Sequence, residues 1–224
     1  MKGLLGHIPL SEISSADEQR EPALSQEEDS TVEEEETAPR VLVFDLETRN
    51  LAKDVGGWRN THLMRVSVAV VYDSLEDDFF VYEEDAVEEL MDHLERADLI
   101  VGFNVKRFDY SVLSAYSGMD FNSLPTFDIL EDIFNRLGFR ISLDHLAKET
   151  LHMGKSADGL QAVEWFRNGE MEKLTEYCRQ DVVVTRDLFE YGIKNGHLIY
   201  SEKKSGRRLR LLVDWTLKEM MKEF

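Results

Sequence analysis

A continuous apolar run that ends in two carboxylates is the feature that most constrains how this chain can fold. The run is Val41-Leu42-Val43-Phe44, and Asp45-Leu46-Glu47-Thr48 follows it directly. An unbroken apolar stretch of this kind is typical of a strand that is covered on both faces. Side chains at i and i+2 of a strand point to the same side, so Asp45 and Glu47 are expected to lie together. Two such charges at the end of a core strand are costly unless a cation lies between them.

The order of the other patterns predicts an α/β fold in which helices cover a mixed sheet. Two strands at about 64–72 and 79–82 follow the first and are expected to pair as a hairpin. A helix over 85–96 then precedes a buried strand at 99–101. The later segments are a helix from about Lys106, a short strand around Phe127, helices at 129–137, 142–151, 159–167 and 170–193, strands at 198–200 and 209–213, and an amphipathic tail at 215–224.

The distribution of charge divides the chain into three parts. Residues 1–40 contain 11 acidic and 3 basic side chains and no aromatic residue, so we expect an acidic disordered tail. Residues 41–195 carry the sheet pattern and are predicted to form one domain, and 196–224 are predicted to form a hairpin with a short helix. The whole chain has 224 residues and a formal net charge of −19, which excludes a bulk basic surface for nucleic acid.

A single cysteine, Cys178, limits the cellular compartment and the chemistry. It excludes an internal disulfide and a cysteine-based zinc cluster, and it fits a reducing environment. No apolar run approaches 18 residues, so no transmembrane span is expected. The first ten residues lack a convincing signal-peptide cleavage site. We therefore expect a cytoplasmic protein.

Two further acidic motifs follow later in the chain. In Asn104-Val105-Lys106-Arg107-Phe108-Asp109, the aspartate falls at the start of a helix, where the helix dipole would favour any acid. In Tyr177-Cys178-Arg179-Gln180-Asp181, Tyr177 and Asp181 share one helix face, and Asp181 adjoins an apolar run. Taken singly, each motif is also compatible with a solvated surface acid, as is the first one.

The three motifs together are far more specific than any one of them. Asp-x-Glu at the end of a strand, Asn-x-x-x-Phe-Asp after a later strand and Tyr-x-x-x-Asp in a late helix occur in this order. The set resembles the DEDD superfamily of 3′–5′ exonucleases over residues 41–193. It is similar to the tyrosine subclass, because the histidine subclass would have a histidine where this chain has Glu176. Among these enzymes, the chain resembles bacterial ribonuclease H-like domains, found alone or with DEAD/DEAH helicases, and the proofreading domain of family B polymerases.

The resemblance implies a ribonuclease H-like mixed five-stranded sheet, a C-terminal β-hairpin and phosphodiester hydrolysis with two divalent metal ions, Mg²⁺ or Mn²⁺. Such ions prefer oxygen ligands, and a metal pair activates water and stabilises the leaving oxygen. By resemblance, Asp45 bridges both metals, Glu47 and Asp181 complete one of them, and Asp109 holds the second. Tyr177 orients the attacking water, because an ordinary tyrosine pKa of about 10 makes it a poor base at neutral pH.

Further side chains are expected to contact the substrate. The resemblance assigns Leu46, Thr48, Asn104 and Phe108 to the walls of the site, although core packing explains Phe108 equally well. Lys155 is a candidate phosphate contact, and a solvated loop lysine is the alternative.

The substantial basic patch of the sequence surrounds the predicted hairpin turn. Its five basic residues, with no acid among them, are Lys203, Lys204, Arg207, Arg208 and Arg210. The patch could follow a phosphate backbone beyond the active site. Equally, its charges could discourage pairing of the hairpin edge with another strand.

We therefore predict a metal-dependent 3′–5′ exonuclease for single-stranded DNA or RNA. A helicase or another nucleic-acid enzyme is a candidate partner, and no membrane is involved. Two alternatives stay open. A catalytically silent nuclease-like module would bind a partner, although such a module has no physical need for four clustered carboxylates. An enzyme for very short oligonucleotides would fit the low basic content.

Overall fold

The computed structural model describes residues 38–154, 159–202 and 205–222, and its centre is a five-stranded mixed sheet. The predictions for residues 1–37, Lys155, Lys203 and Lys204 lie outside the described residues. The strands of this sheet are β1 Val41–Thr48, β2 Val66–Asp73, β3 Asp78–Glu83, β4 Leu99–Gly102 and β5 Thr126–Asp128. Their order is β3-β2-β1-β4-β5. β1 is antiparallel to β2 and parallel to β4, so the strand with the first acidic motif is central.

Helices cover both faces of the sheet, which confirms the predicted architecture. The helices are α1 Val87–Leu94, α2 Asp109–Leu113, α3 Ile129–Leu137, α4 Leu143–Leu146, α5 Gly159–Asn168, α6 Met171–Asn195 and α7 Leu217–Met220. Short 3₁₀ turns occupy Ala52–Val55, Trp58–Leu63, Glu84–Ala86 and Phe121–Ser123, and a π-helical turn over Ala147–Leu151 continues α4. In the part of the chain that the structure describes, no helix has the length and apolarity needed to cross a membrane.

The alternation of side chains along β1 separates two cores. Leu42, Phe44 and Leu46 belong to the apolar cluster that includes α1 and α2. Val43 belongs to the opposite cluster, which includes the buried face of α6. Because side chains alternate with a period of two, Asp45 shares the face of Val43 and is directed toward α6.

A separate two-stranded hairpin, β6 His197–Ser201 and β7 Arg208–Leu212, follows α6 as predicted. The hydroxyl of Thr150 donates to the carbonyl of Ile199 at 2.9 Å and accepts from the amide of Ile199 at 3.0 Å. After the hairpin, Trp215 packs on Gly192 of α6 so closely that a Cβ there would lie 2.2 Å from the indole ring. The hairpin is therefore anchored to the sheet domain at both ends.

Some boundaries differ from the predictions for local reasons. The helix expected from about Lys106 begins at Asp109, because Asn104 has a positive φ of 73° and turns the chain after β4. The carboxylate of Asp128, at the N-terminus of α3, accepts hydrogen bonds from the amides of Asn104 and Lys106 at 2.8 and 3.1 Å. These bonds hold residues 104–106 in a loop. The predicted helix over 142–151 divides into α4 and the π-helical turn.

Candidate metal centre

Strand β1 and helix α6 bring three acidic side chains together. Asp45 and Glu47 lie at the end of β1, and Asp181 lies on the face of α6 that packs against this strand. One carboxylate oxygen from each of the three lies within 4.8 Å of the other two. All three side chains are partly buried, so the group is neither a surface charge run nor a closed core cluster.

The fourth acid, Asp109, reaches the same region from the start of α2. The pairing of β1 with β4 stops at Val43, and three residues further along β1 the amide of Leu46 donates to Asp109 Oδ1 at 3.0 Å. Asp109 is buried, with 2% of its surface exposed. This bond fixes the second acidic motif against the first, although 63 residues separate them.

Electrostatics within the group favour a bound cation. Burial raises the pKa of Asp45 well above its ordinary value, and the neighbouring carboxylates Asp109, Asp181 and Glu47 raise it further. Burial, followed by the same kind of repulsion, also raises the pKa of Glu47. Burial raises the pKa of Asp109 to about 7, against the lowering effect of the Leu46 amide. Upward shifts of this kind are expected where several carboxylates share a partly buried site, and a bound cation would offset them.

The donor set fits a hard divalent ion. Within residues 38–154, 159–202 and 205–222, none of Asp45, Glu47 and Asp109 has a salt-bridge partner. Every candidate ligand atom is a carboxylate oxygen, which is the ligand type that Mg²⁺ and Mn²⁺ prefer. Asp45, Glu47 and Asp181 could hold one ion together, and Asp109 is near enough to raise the pKa of Asp45 and Glu47.

Tyr177 lies one helical turn before Asp181, whose carboxylate is close enough to act on the phenol. Burial raises the pKa of Tyr177, and the carboxylates of Asp181, Glu47 and Asp45 raise it further. The edge of Trp165 on α5 packs against the phenol ring, with ring centroids 5.9 Å apart. Tyr177 is therefore a neutral hydroxyl at physiological pH and can donate a hydrogen bond inside the site.

Cys178, for which the sequence indicated no function, also lies in the site. Its thiol is completely buried and donates to the main-chain oxygen of Asp45 at 3.4 Å and to Asp45 Oδ2 at 3.6 Å. Burial raises the pKa of this thiol, and the surrounding carboxylates raise it further. A signal was present in the sequence, because Leu174, Cys178 and Val182 repeat at intervals of four on the buried face of α6.

Two cavities adjoin the carboxylates, and Asp45 and Phe103 line both of them. We call the first the loop cavity. It has a volume of about 580 Å³, and its lining includes Leu46, Thr48, Trp58, Phe108 and Asp109. The second, the hairpin cavity, has a volume of about 950 Å³, and its lining includes Asp181, Asn104, Phe139, Arg140 and Tyr200.

The expected substrate contacts thus divide between the two cavities. Leu46, Thr48 and Phe108 line the loop cavity. There the rings of Phe108 and Trp58 make an edge contact, with centroids 6.3 Å apart. Asn104 lines the hairpin cavity, and its side-chain oxygen accepts a hydrogen bond from Arg140 Nη2 at 2.6 Å. Trp58 and Arg140 could not be singled out from the sequence, because neither belongs to a recognisable motif.

The described arginines of the basic patch do not line either cavity. Arg208 is engaged within the protein, since Nη2 donates to the carbonyl of Glu149 at 2.6 Å and Nε lies 2.9 Å from its carboxylate. Arg207 and Arg210 are exposed. These three arginines therefore lie outside the two cavities.

Asp128 is a buried acid that the sequence motifs did not include. Besides the two loop amides, Asp128 accepts hydrogen bonds from the amides of Leu130 and Glu131 at 3.0 and 3.2 Å, which caps α3. The pattern Asp128-Ile-Leu-Glu131 before a helix is a recognisable capping signal. Its charge also raises the pKa of Asp109. Asp128 therefore supports the site without being one of its candidate ligands.

Comparison with known proteins agrees with this architecture. A family model described as the RNase_H superfamily matches residues 42–192. The structure is similar to that of a family B DNA polymerase from the hyperthermophilic archaeon Pyrobaculum calidifontis, with a TM-score of 0.52 and 19% sequence identity. The similarity covers 70% of this chain but only 25% of the polymerase chain, and at this identity it shows the fold alone. No curated protein sequence matches the chain significantly.

Proposed function

This chain belongs to the RNase_H superfamily, and we propose that it is a metal-dependent 3′–5′ exonuclease of the tyrosine subclass that acts on single-stranded DNA or RNA. The observation that carries the proposal is the convergence of Asp45, Glu47 and Asp181, whose carboxylate oxygens lie within 4.8 Å of one another. Tyr177 beside Asp181 and Asp109 beside Leu46 complete the set that the sequence motifs predict.

Asp45, Glu47 and Asp181 would hold one divalent ion, and Asp109 would help to hold a second, with Mg²⁺ or Mn²⁺ as the expected metals. When bound, such ions lower the pKa of water and stabilise the charge that develops on the phosphate and the leaving oxygen. The partial burial of the three clustered ligands keeps the local dielectric low, which strengthens their attraction for a cation.

The chain's own residues orient the reactants. Hydrolysis adds water across the last phosphodiester bond, so the terminal nucleotide leaves with its 5′-phosphate and the shortened strand keeps a 3′-hydroxyl. The neutral hydroxyl of Tyr177, which lies near Asp181 and whose ring packs against Trp165, is available to orient that water. The hydrogen bond from the Leu46 amide holds Asp109 in a fixed position relative to β1.

The loop cavity is the proposed seat of the 3′-terminal nucleotide. It combines apolar and aromatic side chains with the polar side chain of Thr48, directly beside the carboxylates. The exposed ring of Trp58 and the half-buried ring of Phe108 offer faces on which a nucleobase could stack. Beyond the described residues, Lys155 stays a candidate phosphate contact. A cytoplasmic location, a helicase or other nucleic-acid enzyme as partner, and an acidic tail over residues 1–40 also belong to this proposal.

A degradation assay with strands labelled at the 3′ or the 5′ end tests the function. Single-stranded DNA and RNA are incubated with Mg²⁺, with Mn²⁺ or with EDTA. We expect early release of the 3′ label as a mononucleotide and stepwise shortening of the 5′-labelled strand, both abolished by EDTA. An Asp181→Asn variant should show neither. Release of the 5′ label first, or internal cuts, would contradict the proposed direction.

A preference for very short oligonucleotides is a second candidate. It is favoured by the net charge of −19 and by the position of Arg207 and Arg210 outside both cavities. A substrate of two nucleotides and one of thirty separate the two possibilities. Equal or faster turnover of the dinucleotide at equal concentration of ends would favour the second candidate.

A further inference from the structure

We propose that the C-terminal hairpin completes the substrate site by stacking the nucleobase on the 5′ side of the cleaved bond against Tyr200 and Phe139. The inference rests on the proposed exonuclease function and assigns part of its substrate recognition to Tyr200, which lies outside the superfamily match, together with Phe139 inside it. That match ends at residue 192, whereas β6 begins at His197.

The hairpin cavity is continuous with the carboxylate group. Asp45 and Asp181 line one part of it, while Tyr200, Ser201 and Glu202 of the hairpin line another. Its volume of about 950 Å³ exceeds that of the loop cavity, and the two cavities share Asp45 and Phe103 in their linings. A strand whose terminal nucleotide occupies the loop cavity can therefore continue past the carboxylates into the hairpin cavity.

Besides Phe103, which lines both cavities, two aromatic rings line the hairpin cavity. Phe139, between α3 and α4, has 48% of its surface exposed, and Tyr200 on β6 is half-buried. Their ring centroids are 6.2 Å apart and their planes meet at 62°, so the edge of one ring packs against the other ring. Exposed aromatic faces beside a nucleic-acid cleft are the usual platform for unpaired bases, and such stacking tolerates any sequence.

Arg140 supplies a cationic group next to this platform. Its side chain is exposed in the hairpin cavity, where Nη2 donates to Asn104 Oδ1 at 2.6 Å. Asn104 is itself held by the hydrogen bond from its amide to Asp128. A guanidinium fixed through one nitrogen keeps other N–H groups for a phosphate.

The hairpin wall is rigid enough to act as a platform. Thr150 makes both its hydrogen bonds to Ile199, the neighbour of Tyr200 in β6. On the other side, the amide of Ser201 donates to His145 Nε2 at 3.0 Å. Tyr200 therefore lies between two attached residues, and little conformational entropy is lost when a base stacks on its ring.

The test uses strands in which a single nucleobase is missing. A stable tetrahydrofuran residue replaces the nucleotide immediately 5′ of the last phosphodiester bond, in matched DNA and RNA strands. The parent, Phe139→Ala and Tyr200→Ala are compared by kcat/KM for intact and base-free strands with Mg²⁺. Phe134→Ala serves as the control, because this exposed phenylalanine lies on α3 and does not line the cavity.

We expect loss of the base to lower kcat/KM of the parent and of Phe134→Ala by about tenfold. In the Phe139→Ala and Tyr200→Ala variants, kcat/KM for the intact strand should already be reduced. Loss of the base should then lower kcat/KM by less than about a further twofold. Removing the base of the 3′-terminal nucleotide should affect all four proteins alike. An equal penalty in parent and platform variants at the penultimate position would overturn the inference.

A binding measurement separates the inference from the proposed function. Fluorescence anisotropy of labelled intact and base-free strands is recorded with Mg²⁺ in an Asp181→Asn background, with and without Phe139→Ala. Weaker binding of the base-free strand only when Phe139 is present supports the platform. If the parent shortens no 3′ end, the exonuclease proposal fails, and this measurement alone decides whether the platform of Phe139 and Tyr200 binds a base. Identical binding of both strands to both proteins would refute it.

Discussion

The thiol of Cys178 on α6 donates to both the main-chain and the carboxylate oxygen of Asp45 on β1, with Sγ 3.4 and 3.6 Å from the two atoms. The contact joins the helix that carries Tyr177 and Asp181 to the strand that carries the first acidic motif. It is a weak hydrogen bond, but it lies at the centre of the candidate metal centre. The chain's single cysteine therefore reports directly on whether this junction is formed.

Cys178 should be inert toward thiol reagents in the folded protein. Thiolates are the reactive species, and burial together with the surrounding carboxylates raises the pKa of this thiol. We expect no reaction with Ellman's reagent under native conditions and one thiol per chain in denaturant, with the reaction following global unfolding. Rapid native labelling would show that α6 and β1 separate readily.

Asp181→Asn should remove catalysis without destabilising the metal-free fold. The substitution deletes one of several repelling charges and keeps the size of the side chain. In EDTA the variant should melt no lower than the parent. A metal concentration of a hundred times Kd should stabilise the parent by about 2.7 kcal/mol and the variant by less.

Melting curves with EDTA and with Mg²⁺ provide the measurement, and Glu190→Gln, an exposed acid on the same helix, is the matched control. A variant that melts lower without metal and keeps full activity with it would make Asp181 a structural acid.

The stability of the metal-free protein should fall as the pH rises from about 4 to about 7. Asp109, with an ordinary pKa of 3.8 and a folded pKa of about 7, keeps its proton in the folded state where the unfolded chain has lost it. Unfolding then releases protons, so raising the pH favours the unfolded state. The raised pKa values of Asp45 and Glu47 act in the same direction. Asp73 and Glu84 have folded pKa values below their ordinary values of 3.8 and 4.5. They therefore change the stability only at a pH below about these ordinary values.

Urea titrations in EDTA between pH 5 and 8 measure this dependence. Asp109→Asn should reduce the slope, and saturating Mg²⁺ should reverse it, because the metal binds the deprotonated carboxylates. Stability that rises with pH in EDTA would contradict the electrostatic account of the site.

Trp58→Ala should lower activity, because the terminal base of the substrate loses a ring on which to stack. Trp58 is 73% exposed and lines the loop cavity beside Leu46 and Asp109. We expect kcat/KM to fall by about tenfold, chiefly through KM, and Trp58→Tyr to recover most of it. Leu75→Ala, an exposed apolar residue outside both cavities, should have no effect. An equal loss on strands that lack the terminal base would rule out stacking.

Arg207 and Arg210 of the basic patch should contribute to strand binding, whereas Arg208 should contribute to stability. Arg207→Gln with Arg210→Gln should weaken binding to long single strands and flatten the salt dependence by about 0.7 of a slope unit per lost contact. Arg208→Gln should instead lower the melting temperature slightly, because Arg208 is engaged with Glu149. Binding titrations at several salt concentrations distinguish them. An unchanged slope in the double variant would leave Arg207 and Arg210 as solvated charges.

The amino-acid sequence by itself determined the secondary-structure elements and which carboxylates belong to the candidate site. Apolar periodicity is a local property, so the strand after Arg40, the helix over 129–137 and the hairpin around Ser205-Gly206 were all predictable. The spacing of Asp45 and Glu47 on one strand and of Tyr177 and Asp181 on one helix also follows from backbone geometry alone. The order of the three motifs was enough to indicate the chemistry.

Only the tertiary structure decided which distant side chains meet. Leu46 and Asp109 are 63 residues apart, and Cys178 and Asp45 are 133 apart. Phe139 meets Tyr200 because Thr150 and His145 hold the hairpin against the π-helical turn and α4. The partner of each of these side chains cannot be predicted from the sequence, because a contact between separate elements depends on how whole faces pack and not on local spacing. The acidic residues of the site can thus be identified from the sequence motifs, whereas the cavity walls that would contact a substrate depend on how the elements pack.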